Sequence, residues 1–288
     1  MAKEKALIIG LGEVGRPLFE LMRESERFIV YGFDMDSKKM REVGQEKLPS
    51  EVDVMHVCIP CSSRDKFVNV VVGYVKQFKP KLVIINTTVP PGTTKDVYKH
   101  CRCLVAHSPV RGVHKSLEHM KWELKRWTKY IGGANAEAAE TARKHFEKLG
   151  LKTKVLKSCA ETELAKLFET TYRAWMIACF QEMNRISRHL EADFDDVADF
   201  LEDTHRVRLD RPLMFPGVIG GHCIIPNTVL LLESHDSEFL RLILKSNEKR
   251  KEEVKDENIH SEVEKVKKRA EAFERELNER IHKPHLPR

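Results

Sequence analysis

Several features that would place this chain in a particular class of protein are scarce or missing. No apolar run approaches the roughly 20 residues that cross a bilayer, and the first residues lead directly into a short apolar strand instead of a signal peptide. The seven cysteines are an odd number without the spacing of a disulfide framework or a zinc site. We therefore expect a cytoplasmic protein in a reducing compartment, with no membrane contact and no bound metal.

A strong bias of charge is also missing. The 50 Lys and Arg residues are interleaved with 44 Asp and Glu residues, and the net charge is +6. No basic stripe carries interleaved aromatic residues, which argues against a nucleic-acid partner. The abundance of Lys and Glu is typical of thermophilic proteins, although any solvated surface gives similar counts.

What the chain does contain is an alternation of short apolar runs with helix-like segments up to about residue 155. A length of 288 residues suggests about two domains, and 41% hydrophobic residues are enough for a sizeable core. The runs are ALII, FIVYGF, VMHVCI, LVIIN, LVAH and YIGG. Such alternation is typical of a parallel α/β sheet, so we predict a Rossmann-type domain over residues 1–155.

The pattern changes after this first domain. Apolar residues at helical spacings predict one long helix over 158–190 and shorter helices over about 193–204 and 236–250. Prolines and glycines predict a loop over 205–227. We therefore predict a helical substrate-binding or dimerisation domain over 156–250. Because long helices often pack across a two-fold axis, a homodimer or larger assembly is expected.

The charged tail, residues 251–288, carries an apolar seam at alternating spacings of four and three. Its members are Ile259, Val263, Val266, Ala270, Phe273 and Leu277. This heptad-like spacing predicts a helix. Two interpretations remain open: the helix lies on its own domain, or it pairs with another subunit.

A glycine motif follows the first apolar run and opens a helix. Gly10 makes the turn, Gly12 leaves room for a pyrophosphate, and Gly15 permits tight packing of the helix on the strand. Asp34 follows Gly15 by 19 residues, where a carboxylate accepts ribose hydroxyls and repels a 2′-phosphate. This favours NAD over NADP, although Lys38 and Lys39 keep NADP open. The candidate cofactor-binding residues in this part of the chain are Gly10, Gly12, Glu13, Val14, Gly15, Asp34 and Pro60.

Further motifs follow in a fixed order. NTTVPPGTT (86–94) predicts a rigid loop at the carboxyl end of a strand, and HSPVRG, ETELAKLFETTYRA and GVIGGHC come after it. Together with the glycine motif, this series resembles the UDP-glucose/GDP-mannose dehydrogenase family over about residues 1–250. The GGHC sequence is most similar to the branch that acts on N-acetylated amino sugars.

The resemblance implies an NAD-dependent, two-step oxidation of a sugar alcohol to a carboxylate. It assigns Cys223 as the nucleophile that traps the aldehyde and Lys166 as the cation that stabilises the oxyanion. It places Thr88 beside the nicotinamide and the catalytic water. The candidate substrate-binding residues are Arg111, Thr170, Gly220, Gly221, His222 and Asn227. The substrate implied is a small molecule, with a nucleotide sugar as the leading candidate.

Three positions depart from the family pattern. Val110, Thr170 and Asn227 stand where the family has a glutamate, an asparagine and an aspartate, so a base for thioester hydrolysis is lacking. The family's third domain is also expected to be absent. Two alternatives therefore stay open: a dehydrogenase of small hydroxy acids that uses Lys166, and a non-catalytic NAD-binding sensor or assembly protein. His107, near Arg111, is expected at the surface.

Overall fold

The structure is a computed structural model that describes residues 3–44, 47–221 and 223–282. It divides the chain into two compact units, Met1–Phe168 and Glu169–Arg288. The predicted domain limits at residues 155 and 250 rest on the sequence pattern and stay a prediction.

The first unit is an α/β sheet domain. Its strands are β1 (Glu4–Ile9), β2 (Phe28–Phe33), β3 (Val54–Val57), β4 (Leu82–Ile85), β5 (Leu104–His107), β6 (Lys129–Gly133) and β7 (Thr153–Val155). They form one seven-stranded sheet in the order β2-β1-β3-β4-β5-β6-β7. The strand pairs are parallel except for β5 and β6, which are antiparallel. The predicted fold class is thus confirmed, with one antiparallel pair that the sequence did not reveal.

Helices cover both faces of this sheet. They are α1 (Gly15–Glu24), α2 (Ser37–Val43), α3 (Arg64–Phe78), α4 (Thr93–His100), α5 (Leu117–Arg126) and α6 (Ala136–Lys148). Ala6 and Ile8 of β1 pack in one apolar cluster, and Leu7 and Ile9 pack in another. Because both faces are buried, the central strands read as continuous apolar runs without polar alternation.

The second unit is helical. The long helix α7 (Cys159–His189) starts in the first unit and continues into the second, followed by α8 (Phe194–Arg208), α9 (Ile224–Ser234), α10 (Glu238–Glu253) and α11 (Glu257–His282). Helix α9 begins inside the stretch predicted as a loop. Its apolar run overrides the loop signal, because Pro226 lies in the first turn, where a missing N–H costs no hydrogen bond.

The tail helix α11 packs against α8 within its own unit. Ile259, Val263, Val266 and Phe273 of the seam are buried, while Leu277 has a side chain outside the described residues. Arg269 of α11 pairs with Asp195 of α8 at 3.1 Å. The seam is therefore covered by the chain itself. In the part of the chain that the structure describes, no helix is long and apolar enough to cross a membrane.

Candidate active site

The glycine loop after β1 contains three glycines with different structural roles. Gly10 has φ +88°, and a Cβ there would meet the Cys58 carbonyl oxygen at 2.8 Å. A Cβ on Gly15 would meet the Gly10 carbonyl oxygen at 1.7 Å. A Cβ on Gly12 would meet nothing within 4 Å, and its backbone is not left-handed. Neither strain nor crowding within the chain accounts for Gly12, so the space beside it is available to a bound group.

Helix α1 begins directly after this loop, with Val14 at the N-cap position. Among the described residues no side chain caps this end, and its first turn contains no acidic residue. The first N–H groups of a helix lack partners within the helix and carry a positive partial charge. The end of α1 and the open space at Gly12 are thus suited to an anionic group. Glu13 lies beside the loop, 3.8 Å from His114.

Asp34 directly follows β2, next to β1 in the sheet. Its carboxylate accepts the N–H of Leu11 at 2.7 Å and that of Asp36 at 2.9 Å. Burial raises its pKa, but these two N–H groups and the Lys39 ammonium outweigh burial, so the pKa of Asp34 lies below its usual value. The charged carboxylate is therefore fixed beside the glycine loop. Its Oδ1 can accept a further hydrogen bond, whereas Oδ2 already accepts from Leu11 and from Lys39 at 3.4 Å.

The loops after β3 and β4 are joined by Thr87. Its hydroxyl lies 2.8 Å from the Ile59 carbonyl oxygen and 3.3 Å from that of Val57. Pro60, in the first loop, is exposed, and Thr88, in the second, is half-buried. Two predicted cofactor-binding residues thus lie on neighbouring loops at the carboxyl edge of the sheet, where ligands bind in folds of this type.

The loop over residues 86–94 is anchored by Glu163 of α7, which sequence reasoning missed. The fully buried Glu163 carboxylate accepts the N–H of Gly92 at 2.7 Å, the N–H of Thr94 at 2.8 Å and the Thr94 hydroxyl at 2.6 Å. Burial raises the pKa of Glu163, and these three donors only partly offset that effect. Glu163 therefore caps α4 and holds the loop. In the sequence, Glu163 stands beside Thr162 in a helical segment, and nothing there indicates that it caps α4.

His107 is fully buried, so the expected surface position was wrong. Its Nε2 lies 3.0 Å from the Thr87 carbonyl oxygen, and its Nδ1 lies 2.8 Å from the Thr162 hydroxyl. Burial lowers the pKa of His107 to about 3, although the bond to Thr87 opposes this. The neutral ring donates to Thr87 and fixes the peptide before Thr88. In the sequence, the position of His107 at the end of the apolar run LVAH was the signal that could have indicated its burial.

Arg111 is held by aromatic side chains. Its guanidinium lies 4.7 Å from the Trp127 ring centre and 5.1 Å from that of Tyr130, and it donates to the Thr128 carbonyl at 2.9 Å. Val110, before it, is buried. In the free protein, Arg111 is thus already engaged by the chain.

Lys129, at the start of β6, is a second residue that the sequence did not reveal. It is buried, and its ammonium donates to the carbonyl oxygens of Ser108 at 2.8 Å and Pro109 at 3.3 Å. Burial lowers the pKa of Lys129 to about 7; nearby Cys58 opposes this, and the charges of Arg111 and Lys166 reinforce it. A lysine that opens a strand reads as a surface residue in the sequence. Lys166 itself is half-buried on α7.

The remaining predicted residues lie in the second unit. Cys223 is exposed and immediately precedes α9, and Gly221, two residues earlier, has φ +81°. A Cβ on Gly220 would meet nothing within 4 Å. Asn227 and Thr170 are brought together, since the Asn227 amide donates to the Thr170 hydroxyl at 3.2 Å. His222 lies outside the described residues.

The described residues were also compared with the requirements of a metal site and of disulfide bonds. Within residues 3–44, 47–221 and 223–282, no group of three or more His, Cys, Asp or Glu side chains could hold a metal ion. All seven cysteines are free.

The sheet, its glycine loop and the helices that follow define a Rossmann-type α/β protein with a second, all-helical unit. Residues 160–249 match the model of the UDP-glucose/GDP-mannose dehydrogenase family, central domain. This match agrees with the resemblance to the UDP-glucose/GDP-mannose dehydrogenase family that the series of motifs predicted.

Among curated relatives, the chain is 27% identical over 286 residues to the UDP-N-acetyl-D-mannosamine dehydrogenase of Methanocaldococcus jannaschii. That match covers 85% of this chain but 65% of the relative, so the chain spans about two thirds of the length of the curated relatives it matches. The protein of the same name from Pyrococcus horikoshii is 24% identical over 290 residues, covering 84% of this chain and 68% of the relative.

Solved structures show the same fold. The UDP-D-ManNAc dehydrogenase of Pyrococcus horikoshii has a TM-score of 0.69 at 22% identity, and the match covers 85% of this chain and 68% of that chain. The 3-hydroxyisobutyrate dehydrogenase of Mycobacterium tuberculosis has a TM-score of 0.65 at 15% identity. That match covers 88% of this chain and 95% of the other, so the two-unit fold spans almost the whole of that protein.

Proposed function

We propose that this protein is an NAD-dependent dehydrogenase that oxidises an alcohol of a sugar or sugar nucleotide. The observation that carries the proposal is the glycine loop. Gly12 borders open space, and this space adjoins the uncapped end of α1. A pyrophosphate fits both features, because backbone N–H groups and the helix dipole favour an anion there.

The other residues receive roles that follow from this placement. Asp34 accepts the ribose hydroxyls, while Pro60 and Thr88 border the nicotinamide end. Bound NAD supplies the hydride acceptor. We propose Cys223 as the nucleophile, Lys166 as the cation that stabilises the oxyanion, and Arg111, Thr170, Gly220, Gly221, His222 and Asn227 as substrate-binding residues. Relatives of this family named for UDP-N-acetyl-D-mannosamine support a nucleotide sugar as the substrate class.

Cofactor preference tests the role of Asp34. We expect NAD to bind more tightly than NADP, because the Asp34 carboxylate repels a 2′-phosphate. Asp34→Asn keeps the shape and removes the charge, and it should narrow the ratio of the two dissociation constants about tenfold, or about 1.4 kcal/mol. Titration of both cofactors by calorimetry measures this ratio. Asp36→Asn is the matched control, since Asp36 caps α2. Tighter NADP binding by the unmutated protein would contradict the assignment.

Labelling with a limiting alkylating agent tests Cys223. Cys179 is also exposed and serves as the control for access. We expect Cys223 to be alkylated faster than Cys179 and the five other cysteines, and NAD to slow the labelling of Cys223 alone, because the proposed mechanism requires this thiol to act beside the nicotinamide. Mass spectrometry of the labelled peptides gives both rates. Equal rates for Cys223 and Cys179, with and without NAD, would remove Cys223 from the mechanism.

The same cysteine predicts the course of turnover. Since Val110 and Asn227 offer no carboxylate to activate water, a thioester on Cys223 should hydrolyse slowly. An accepted substrate should then give a rapid burst of NADH and a slow phase, which Cys223→Ser abolishes while NAD binding persists. A screen across UDP-sugars, GDP-sugars and small hydroxy acids identifies the substrate class. Turnover of hydroxy acids that survives Cys223→Ser but not Lys166→Ala would favour the hydroxy-acid alternative. NAD binding without any turnover would favour the sensor.

Assembly rests on an apolar face of α7. Tyr172, Met183 and Ile186 lie on one side of the helix with exposed side chains, and Leu190, directly after the helix, is exposed as well. We propose that this face pairs with a second copy, giving a dimer or larger assembly. Light scattering at micromolar concentration should report at least a dimer, and Ile186→Glu should give a monomer. Phe200→Glu, which changes an exposed residue of α8, should leave the assembly intact. A monomeric unmutated protein would refute the proposal.

A further inference from the structure

A line of buried polar side chains crosses the interior of the first unit. It runs from Glu4, at the start of β1, through His145 of α6 and His56 of β3 to Asn86, which follows β4. His56 and Asn86 are 0% and 2% exposed, and both lie on the face of the sheet that Ile84 and Phe146 fill with apolar side chains. Nothing in the proposed chemistry uses this line, yet buried polar groups are costly unless they are paired.

The orientation of the Asn86 amide fixes one end of the line. Its Nδ2 donates to the Ile84 carbonyl at 3.1 Å and lies 3.1 Å from His56 Nδ1. An amide nitrogen only donates and a backbone carbonyl only accepts. Rotating the amide by 180° would place its oxygen against the Ile84 carbonyl. His56 Nδ1 must therefore accept and carries no proton.

The two histidines then have one possible arrangement of protons. Burial holds the pKa of His56 well below its usual value, and the charge of Lys129 lowers it further, as a proton on His145 would, so the ring is neutral with its proton on Nε2. That nitrogen lies 2.8 Å from His145 Nε2, which therefore accepts. The proton of a neutral His145 lies on Nδ1 and is donated to Glu4. Every donor in the line points from Asn86 toward Glu4.

Charged, neutral and aromatic groups surround the line. Lys148 of α6 donates to the second Glu4 oxygen at 3.0 Å and keeps that carboxylate charged. Lys129 of β6 adds positive charge near His56. Burial raises the pKa of Cys58, directly after β3, to about 12, with Lys129 and Asn86 opposing it, so its thiol is neutral. The rings of Phe28 and Phe146 lie 5.2 and 5.6 Å from His145 and exclude water.

An added proton cannot enter this arrangement without breaking it. A proton on His145 Nε2 would face the Nε2 proton of His56 across 2.8 Å. The line can then persist only in the reverse sense, in which His56 donates from Nδ1 to the Asn86 side-chain oxygen and the amide turns over. Among the described residues that oxygen has no hydrogen-bond partner now, so the reversed state gives it one, at the cost of the bond to the Ile84 carbonyl and of two oxygens that face each other.

Asn86 connects the loops of the candidate cofactor site. Its N–H donates to the Val57 carbonyl at 2.9 Å, at the end of β3, and its carbonyl accepts the Val110 N–H at 3.3 Å. Thr87 and Thr88 follow it directly. The carbonyl of Cys58, next to Val57, is the atom that a Cβ on Gly10 would meet. Rotation of the Asn86 side-chain amide therefore takes place where the three loops and the glycine loop come together.

We propose that Asn86 is a positioning residue of the cofactor site, and that His56, His145 and Glu4 set the orientation of its amide and release it on proton uptake. The effect of Asn86 on cofactor binding rests on the proposed function. The order of protons along the line does not depend on it.

Nitrogen-15 NMR of the histidine rings, without cofactor, tests the order of protons. In the unmutated protein at neutral pH, His56 should be the Nε2–H tautomer and His145 the Nδ1–H tautomer. Asn86→Asp replaces the donor by an acceptor of the same shape. It should move the His56 proton to Nδ1 and leave His145 protonated on both nitrogens, since Glu4 still needs a donor. Asn135→Asp, at the cap of α6, makes the same chemical change outside the line and should alter neither ring.

The pH dependence of stability and of the NMR signals tests whether proton uptake releases the Asn86 side-chain amide. Because the pKa of His56 is lowered in the folded state, the unfolded chain binds more protons below a pH of about 6.5, so stability is lost as the pH falls below that value. The backbone amide signals of Thr88 and Val110 should shift with the same midpoint as the His56 ring. Asn86→Asp should already show the shifted signals at neutral pH.

Affinity for NAD completes the test. We expect Asn86→Asp to bind NAD about tenfold more weakly than Asn135→Asp, which is about 1.4 kcal/mol. The opposite tautomers in the unmutated protein would overturn the proposal even if the variant fails to fold. Correct tautomers with unchanged Thr88 and Val110 signals would overturn the positioning role. Failure of every variant and the unmutated protein to bind NAD would sink the proposed function, while the ring and amide signals would still decide the proposal.

Discussion

Gly15→Ala should prevent stable folding of the first unit, whereas Gly12→Ala should fold normally and lose NAD binding. A Cβ at position 15 would lie 1.7 Å from the Gly10 carbonyl oxygen, which is backbone and cannot move aside without displacing the turn. We expect a loss of about 4 kcal/mol or more in the free energy of unfolding. A Cβ at position 12 meets nothing within 4 Å, so its cost should stay below about 1 kcal/mol.

The contrast between the two variants separates structure from binding. Urea unfolding followed by circular dichroism gives the stabilities, and calorimetry with NAD gives the affinities. For Gly12→Ala we expect at least a tenfold loss of NAD affinity, because the methyl group occupies the space proposed for the pyrophosphate. Gly73→Ala is the control, since that glycine of α3 also borders open space but lies away from the loop. Unchanged NAD affinity in Gly12→Ala would remove the observation on which the proposed function rests.

The sequence predicted the sheet domain well because its signals are local. Continuous apolar runs reflect strands buried on both faces, and the glycine motif combines a positive φ at Gly10 with crowding at Gly15, which only glycine tolerates. The antiparallel pairing of β6 was not predictable, since hydrogen-bond direction leaves no mark in an apolar run. Helix α9 was missed because Pro226 reads as a breaker, although a first-turn proline is compatible with a helix.

Residues of the candidate site that belong to a recognisable motif were predicted from the sequence. Residues whose role arises from their burial in the fold were missed. His107, Lys129 and Glu163 are polar residues whose roles depend on what covers them. Nothing local in the sequence distinguishes a buried lysine from a surface one, because the covering groups come from distant parts of the chain. His107 and Glu163 lie within motifs that carried the family resemblance, but the resemblance assigned roles to other positions of those motifs, and Lys129 lies outside them.

Replacement of Glu163 should release the loop that carries Thr88. Glu163→Ala leaves the N–H groups of Gly92 and Thr94 and the Thr94 hydroxyl without their acceptor. Buried donors that lose a partner cost about 1–3 kcal/mol each, and partial hydration reduces the sum, so we expect about 3 kcal/mol of lost stability. NAD affinity should fall as well, because the loop over residues 86–94 loses its anchor. Glu161→Ala, an exposed residue of the same helix, should cost less than about 1 kcal/mol.

The pH dependence of stability gives a second measure of Glu163. Because burial raises the pKa of this carboxyl in the folded protein, the folded state binds more protons than the unfolded chain at pH values just above the usual range for glutamate. Its contribution to stability is therefore complete below that range and declines as the pH rises through it. Glu163→Gln cannot titrate and should lose this decline, while Glu161→Gln should retain it. Urea unfolding from pH 4 to pH 8 compares the variants, and identical profiles for both would show that the pKa of Glu163 is not raised in the folded protein.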